Sequence, residues 1–279
     1  MVPIDYLLNF IREDTPFGDL TSETIVPDID CRAAISIEQP AVVAGLDEVS
    51  SLFQYFNVTV TQAVRDGSCV NRGDTLLTLQ GNAKKILLVE RTALNLIGRM
   101  SGIATMTRMF ADLVQNVNPV CRVAATRKTC PGLRELDKKA VVLGGGDPHR
   151  SNLSDGILIK DNHLVLISLT DSIKRAKTRS AYYPIEVEVT SAEDAVRAAH
   201  AGSEIIMFDN MNPEQVQQSL DALKSSGLRE RVIIEISGGI DAENIVQYAA
   251  LGVDMISIGA LTHSVKNIPA HLEILPLPK

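Results

Sequence analysis

The second half of the chain predicts a parallel α/β fold, and three observations carry it. From Val120 onward, short apolar runs alternate with helical segments. The helical segments begin at capping residues and stop at glycines. Several apolar runs carry polar residues at alternate positions near their ends, which favours a barrel over a doubly wound sheet.

Taken from the N-terminus, residues 1–16 read as an amphipathic helix ending near Pro16. Short β-like runs follow at Arg32–Glu38, Val58–Val64 and Asp74–Leu79, punctuated by the turn signals Asp66-Gly67 and Arg72-Gly73-Asp74. From Ile86 to about Gln115, apolar residues recur at helical spacing. Gly98 and Gly102 weaken the middle of that stretch, which predicts two helices or a kinked one. Beyond Val120 the predicted strands are Arg122–Ala125, Ala140–Leu143, Gly156–Ile159, Ile185–Val189, Glu204–Phe208, Val232–Ile236 and Asp254–Ile258. Ser191, with Asp194 three residues on, and Asn212, followed by Pro213 and Gln215, are helix starts. Gly202, Gly227 and Gly252 stop those helices, because glycine adopts the left-handed conformation at no steric cost.

Composition narrows the class. A chain of 279 residues buries a core without disulfide staples, and 45% hydrophobic with 22% charged residues excludes disordered and collagen-like chains. The four cysteines (Cys31, Cys69, Cys121, Cys130) show no CxxC spacing, which argues against zinc or dithiol chemistry and points to a reducing cytoplasm. The N-terminal MVPIDYLLNFIRED places acids where a signal peptide has bases, and no apolar run approaches the roughly 18 residues of a membrane span. The net charge of −7 disfavours a nucleic-acid binder. Its distribution is uneven: between Cys121 and Lys160 eight basic residues face four acids, a local +4. A basic island in an acidic chain suggests a site for a small polyanion.

The strand endings say where that site lies. In Ile185-Glu186-Val187-Glu188-Val189 the two carboxylates share one face and the valines the other. Unpaired carboxylates against helices would cost several kcal/mol, so the glutamates are expected to face a barrel lumen near its mouth. Ile233-Ile234-Glu235-Ile236-Ser237 repeats the pattern. Arg127, Lys128, Lys160, Glu188, Asp209, Ser237 and Gly259 all fall where predicted strands finish, the end at which α/β barrels build active sites. Glycine turns at Ser237-Gly238-Gly239 and Ile258-Gly259-Ala260 follow the last two strands, where barrel phosphate sites commonly lie. Gly144-Gly145-Gly146 leads into His149 and Arg150, a flexible hinge delivering an imidazole and a guanidinium. Glu188 and Asp209, on successive strands, suit Mg²⁺, which takes one or two carboxylates plus substrate phosphates. His163 reads as a structural hydrogen bonder. The residues thus describe a site for a phosphorylated substrate, with metal, and a second anion.

These motifs carry a resemblance. Ala125-Thr126-Arg127-Lys128-Thr129, Pro131-Gly132-Leu133-Arg134, Gly144-Gly145-Gly146, His149-Arg150 and Leu158-Ile159-Lys160-Asp161-Asn162-His163 resemble the quinolinate phosphoribosyltransferase family. So do Glu186-Val187-Glu188-Val189, Phe208-Asp209-Asn210-Met211, Ser237-Gly238-Gly239 and Gly259-Ala260-Leu261-Thr262-His263-Ser264. Upstream, Gly18-Asp19-Leu20-Thr21, Glu90-Arg91-Thr92-Ala93-Leu94-Asn95 and Ser101-Gly102-Ile103-Ala104-Thr105 also match, so the likeness runs in order from about residue 7 to 265. One departure is Ala125, where the family commonly has an acid. That departure puts in question a carboxylate that would orient Arg127.

The resemblance implies an N-terminal α/β sandwich-like domain (1–108, with 269–279 returning to it) and an incomplete α/β, TIM-like barrel (109–268) with the active site at its mouth. It implies transfer of a phosphoribosyl group from phosphoribosyl pyrophosphate to quinolinate with decarboxylation and Mg²⁺, a step of de novo NAD biosynthesis. Carried over by motif, Arg127, His149, Arg150 and Lys160 surround the quinolinate carboxylates. Lys128, Ser237, Gly238, Gly259 and His263 serve the phosphates, and Glu188 and Asp209 act around Mg²⁺ and the ribose. Lys160, Glu188 and Asp209 form the catalytic set. Arg91 reaches a neighbouring subunit's site, making a homodimer the minimum, with dimer against hexamer left open. Neither nucleic acid nor membrane is an expected partner. The nearest alternatives are a molybdenum-related homologue or a nicotinate phosphoribosyltransferase. A sugar-phosphate isomerase or aldolase, with Lys160 as base or Schiff-base lysine, and a non-catalytic anion sensor come from other classes.

Overall fold

In a computed structural model that describes residues 2–179 and 181–275, the chain forms two compact units. One comprises Met1–Arg108, Pro131–Gly145 and Ser264–Lys279; the other comprises Met109–Cys130 and Gly146–His263. The elements up to the long helix are α1 (Ile4–Asp14), α2 (Leu20–Ile25), β1 (Asp30–Ile37), β2 (Ala41–Val42), α3 (Leu46–Tyr55), β3 (Thr59–Ala63), β4 (Cys69–Val70), β5 (Thr75–Asn82) and α4 (Ala83–Gln115). Beyond it come β6 (Arg122–Ala124), α5 (Arg134–Leu143), β7 (Ile157–Ile159), α6 (Asp161–Leu164), α7 (Leu169–Lys177), β8 (Ile185–Val189), α8 (Ala192–Ala201), β9 (Ile205–Asp209), α9 (Pro213–Ser225), β10 (Ile233–Ser237), α10 (Ile245–Ala249), β11 (Met255–Ser257), α11 (Ala260–His263) and β12 (Ala270–Leu275).

The first unit is built on a four-stranded antiparallel sheet in the order β12-β1-β5-β3, with a separate β2-β4 pair. Ala33, Ile35 and Ile37 alternate along β1 and are fully buried. Amphipathic α1 and α3 bury Leu7, Leu8 and Ile11, and Leu46, Val49, Leu52 and Phe53, on the faces their spacing predicts. β12 lies along β1, with Ile274 opposite Ala33 and Leu272 opposite Ile35, so residues 270–275 complete this sheet. Positions 276–279 of the expected returning segment lie outside the described residues.

Three expectations need correction. Residues 83–115 form one continuous helix rather than two or a kinked one. Gly98 and Gly102 serve packing: a Cβ on Gly98 would stand 3.0 Å from the Ile268 carbonyl oxygen, and one on Gly102 would overlap the Lys266 carbonyl. Close approach of backbone to α4 therefore outweighs the roughly 1 kcal/mol that each glycine costs a helix. The strand expected at Ala140–Leu143 is instead the second half of α5. An apolar run of four does not distinguish a strand from a buried helical turn. Leu136, Asp137, Ala140 and Val141 are buried at helical spacing. Charges anchor α5 within the first unit: Asp137 accepts both Nε and an Nη of Arg99 at 2.8 Å, and Lys139 Nζ reaches buried Glu48 at 2.8 Å. Residues 131–145, placed in the barrel by the sequence reading, thus group with the first unit.

The second unit holds six parallel strands in the order β6-β11-β10-β9-β8-β7. The free side of β6 takes one further parallel bridge, from Ala124 to Asp147. No ladder joins β7 back to β6 among the described residues. The fold is therefore an α/β barrel left incomplete on one side. The expected caps are present: Ser191 Oγ accepts the Asp194 N–H, Asn212 and Gln215 form a reciprocal capping box behind Pro213, and Gly202 ends α8 with φ of +92°.

Gly102→Ala tests the packing reading of α4. Helix propensity alone predicts stabilisation of about 1 kcal/mol. The collision with Lys266 predicts a net loss of about 1–3 kcal/mol in guanidinium denaturation.

Candidate active site

The carboxyl ends of the barrel strands surround a cavity of about 480 Å³. After β6 the chain delivers Ala125, Thr126, Arg127 and Lys128 to its wall; after the Asp147 bridge, His149 and Arg150; after β7, Lys160 and Asp161. β8 contributes Glu188, β9 Asp209 followed by Asn210, β10 Glu235 and Ser237, and β11 Ser257. Eight sequence-predicted site residues therefore line one cavity: Arg127, Lys128, His149, Arg150, Lys160, Glu188, Asp209 and Ser237. Three others border it. A Cβ on Gly238 would overlap the Asn210 side chain, and one on Gly259 would stand 3.0 Å from His263 Nε2 and 3.1 Å from Lys128 Cδ. The Gly259 turn thus lets His263 and Lys128 converge, and Thr262 Oγ1 fixes that arrangement by donating to the Lys128 carbonyl at 2.9 Å. The remaining predicted residue, Arg91, is exposed on α4 in the first unit.

Each cation is held by a specific environment. Lys160 Nζ forms an ion pair with Glu188 Oε1, and the Lys160 backbone N–H donates to His163 Nδ1 at 2.9 Å, which makes His163 the structural residue it was read to be. Burial, and then the nearby Arg127 charge, lower the proton affinity of Arg150. Arg127 Nε is buried with no hydrogen-bond partner. A guanidinium keeps its charge under such crowding, so the cost appears as demand for an anion. His149 has φ of +54° and Asn210 φ of +53°, left-handed conformations that favour glycine. Asp147 Oδ1 accepts the His149 backbone N–H at 2.8 Å and holds that geometry.

Beneath the cations lies a layer whose role the sequence did not assign. His149 Nε2 stands 3.2 Å from Glu235 Oε2 and 3.7 Å from Glu186 Oε2. Both glutamates are almost wholly buried, and the Oε1 of each has no hydrogen-bond partner. Burial, and then the negative Glu235, push the Glu186 carboxyl up to about 7. The lumen-facing pattern was legible from alternation along β8 and β10; the meeting with His149 was not. A second cavity of about 330 Å³, lined by Ile157, Ile205, Ile233 and Met255 from the amino ends of strands, shares His149, Arg150 and Glu235 as wall residues.

Comparison with known proteins fixes the family. The model of the quinolinate phosphoribosyl transferase N-terminal domain matches residues 19–101, and that of the C-terminal domain matches residues 103–273. The chain belongs to the quinolinate phosphoribosyltransferase family. Among its relatives, the probable nicotinate-nucleotide pyrophosphorylase [carboxylating] of Methanothermobacter thermautotrophicus is 42% identical over 275 residues, covering 97% of this chain and 98% of that one. The human nicotinate-nucleotide pyrophosphorylase [carboxylating] is 32% identical, covering 97% of this chain and 93% of that one. The crystal structure of the nicotinate-nucleotide pyrophosphorylase from Ehrlichia chaffeensis superposes with a TM-score of 0.92 at 32% identity, covering 99% of each chain.

Glu186 makes stability depend on pH. Its pKa is raised on folding, so the stabilisation is fully present below its ordinary 4.5 and is lost as pH rises through about 7. The difference corresponds to about 3 kcal/mol. Urea denaturation should show stability falling between pH 5 and pH 8, and Glu186→Gln should flatten that slope.

Proposed function

We infer that this chain performs its family's reaction at the strand-end cavity. Quinolinate and phosphoribosyl pyrophosphate are converted to nicotinate mononucleotide, pyrophosphate and CO₂, a step of NAD biosynthesis. The observation that carries the reading is the convergence of Arg127, Lys128, His149, Arg150 and Lys160 on one cavity that also holds Glu188 and Asp209. Two polyanions must bind side by side, and that cavity offers clustered cations.

Arg127, Arg150, His149 and Lys160 receive the two quinolinate carboxylates; the guanidinium planes match carboxylate geometry in bidentate fashion. Lys128, Ser237, Gly238, Gly259 and His263 receive the phosphates. Glu188 and Asp209 are partly buried carboxylates on one cavity wall, a hard-oxygen donor set that fits Mg²⁺. Bound there, Mg²⁺ supplies charge neutralisation for the departing pyrophosphate. The pyridine nitrogen attacks the anomeric carbon as pyrophosphate leaves, and positive charge grows on the ribose. The chain's contribution is positioning and electrostatics: the cations hold two repelling anions at reacting distance, and the carboxylates face the cationic sugar. Quaternisation of the ring nitrogen then draws electrons from C2, so breaking the C2–carboxylate bond needs no dedicated residue.

Arg91 completes the site of a neighbouring subunit, and a homodimer is the minimal active unit. The four free cysteines support a reducing, cytoplasmic setting. Among the described residues no helix is long and apolar enough to cross a membrane.

Purified protein with Mg²⁺ and phosphoribosyl pyrophosphate should release equimolar CO₂ and pyrophosphate with quinolinate and neither with nicotinate. Turnover of nicotinate alone would overturn the assignment. Arg91→Ala should abolish activity while keeping the fold, and mixing it with Arg150→Ala should restore a fraction. No restoration despite demonstrated subunit exchange would exclude a shared site.

A further inference from the structure

The proposed reaction leaves a carbanion, and the roles assigned above hold substrates without quenching it. When CO₂ departs, the C2–carboxylate electron pair stays on C2 beside the quaternary nitrogen. One proton must reach that carbon to give nicotinate mononucleotide. An effective donor has a pKa near the operating pH, which favours an imidazolium over an ammonium or guanidinium. His149 is the one imidazole among the described residues lining the cavity.

We propose that His149 protonates C2 after decarboxylation, and that Glu235 is the positioning residue that keeps its imidazole charged and oriented for this transfer. The inference rests on the reading of this cavity as the quinolinate site. Glu235 sits within β10, paired with Met207 of β9 on one side and Met255 of β11 on the other, so its carboxylate comes from the most constrained part of the sheet. Its Oε2 lies 3.2 Å from His149 Nε2, within hydrogen-bond range, and the side chain is 1% exposed. An imidazole that donates Nε2–H to Glu235 has a proton to give at Nδ1 only as the cation. The facing groups are Glu235, Glu186, Asp147 and Arg150; of these the Glu235 carboxylate is the one at hydrogen-bond distance from Nε2, and a carboxylate so placed favours that cation.

The backbone supports the same reading from the other side. His149 is held at φ of +54°, a conformation that is costly for a residue with a side chain and persists where surrounding contacts over-determine it. Asp147 supplies the restraint through the His149 N–H, and Arg122 holds Asp147 at 3.3 Å. Ring and main chain are therefore fixed by two independent carboxylates. In the step itself the C2–carboxylate bond breaks, CO₂ leaves, the Nδ1–H bond of the imidazolium breaks and a C2–H bond forms. Neutral His149 then recovers a proton from water once product has gone.

The test follows the proton in the full-length enzyme with Mg²⁺ and both substrates. Glu235→Gln should lower kcat about tenfold or more and leave the quinolinate KM within about threefold. It should also enlarge the solvent deuterium isotope effect on kcat, because proton delivery becomes the slow step. Glu235→Asp should recover part of the rate. His149→Ala should lose kcat and regain it with added imidazoles, the recovery following the pKa of the imidazole supplied. A Glu235→Gln loss confined to quinolinate KM, with an unchanged isotope effect, would overturn the proposal. Should Glu235→Gln fail to fold, the His149→Ala experiment decides, and indifference to every imidazole would overturn it. Wild-type protein that makes no nicotinate mononucleotide from quinolinate would instead overturn the reading of the cavity, a separate result.

Discussion

Positive charge crowded into a half-buried cavity at the ends of six parallel strands is the constraint that the barrel unit depends on. Burial and then the nearby Arg127 charge lower the proton affinity of Arg150, and Lys128 and Lys160 share the same wall. Such a cluster survives only if part of its charge is offset from below and part is left for ligand. Glu188 offsets Lys160, and the Glu235 carboxylate lies 3.2 Å from His149 Nε2. The unpartnered Nε of Arg127 marks charge that remains for an incoming anion. Stability and affinity therefore pull on the same residues. Filling the cavity with permanent counterions would stabilise the protein and remove its reason to bind.

Placement of these groups relies on two kinds of rigidity. Glu188, Asp209, Glu235 and Ser237 are set by strand register, where a one-residue slip would turn each to the opposite face. His149 and Asn210 are set by left-handed backbone conformations. For Asn210 the neighbouring Gly238 is part of the device, because any side chain there would displace the asparagine.

Much of this was legible in the sequence because it follows from period and chemistry. Alternating charge in β8 and β10 marked the lumen, and Ser191, Asn212 and Gly202 marked helix ends that the structure reproduces. The ordered motifs identified the family and so gathered residues from Arg127 to His263 into one expected site. What stayed hidden is tertiary. The continuity of α4 depends on the distant backbone at Lys266 and Ile268 packing against Gly102 and Gly98. The helical state of Ala140–Leu143 depends on Arg99, Glu48 and Asp66, to which its own helix is tethered by charge. The contact of Glu235 with His149 joins positions 86 residues apart, and no local pattern announces it.

The interrupted strand ladder has a consequence for how such a site can change. Between the Asp147 bridge and β7 the chain carries His149 and Arg150 without sheet hydrogen bonds on both sides, secured by Asp147 and by Asp155 accepting from Ser151 and Asn152. At this seam, lengthening or shortening the segment by a residue relocates an imidazole and a guanidinium without shifting any strand against its neighbour. Inside a paired strand the same insertion would turn every residue beyond it to the opposite face. At the seam, loop length and loop hydrogen bonds rather than strand register set where the imidazole and the guanidinium stand.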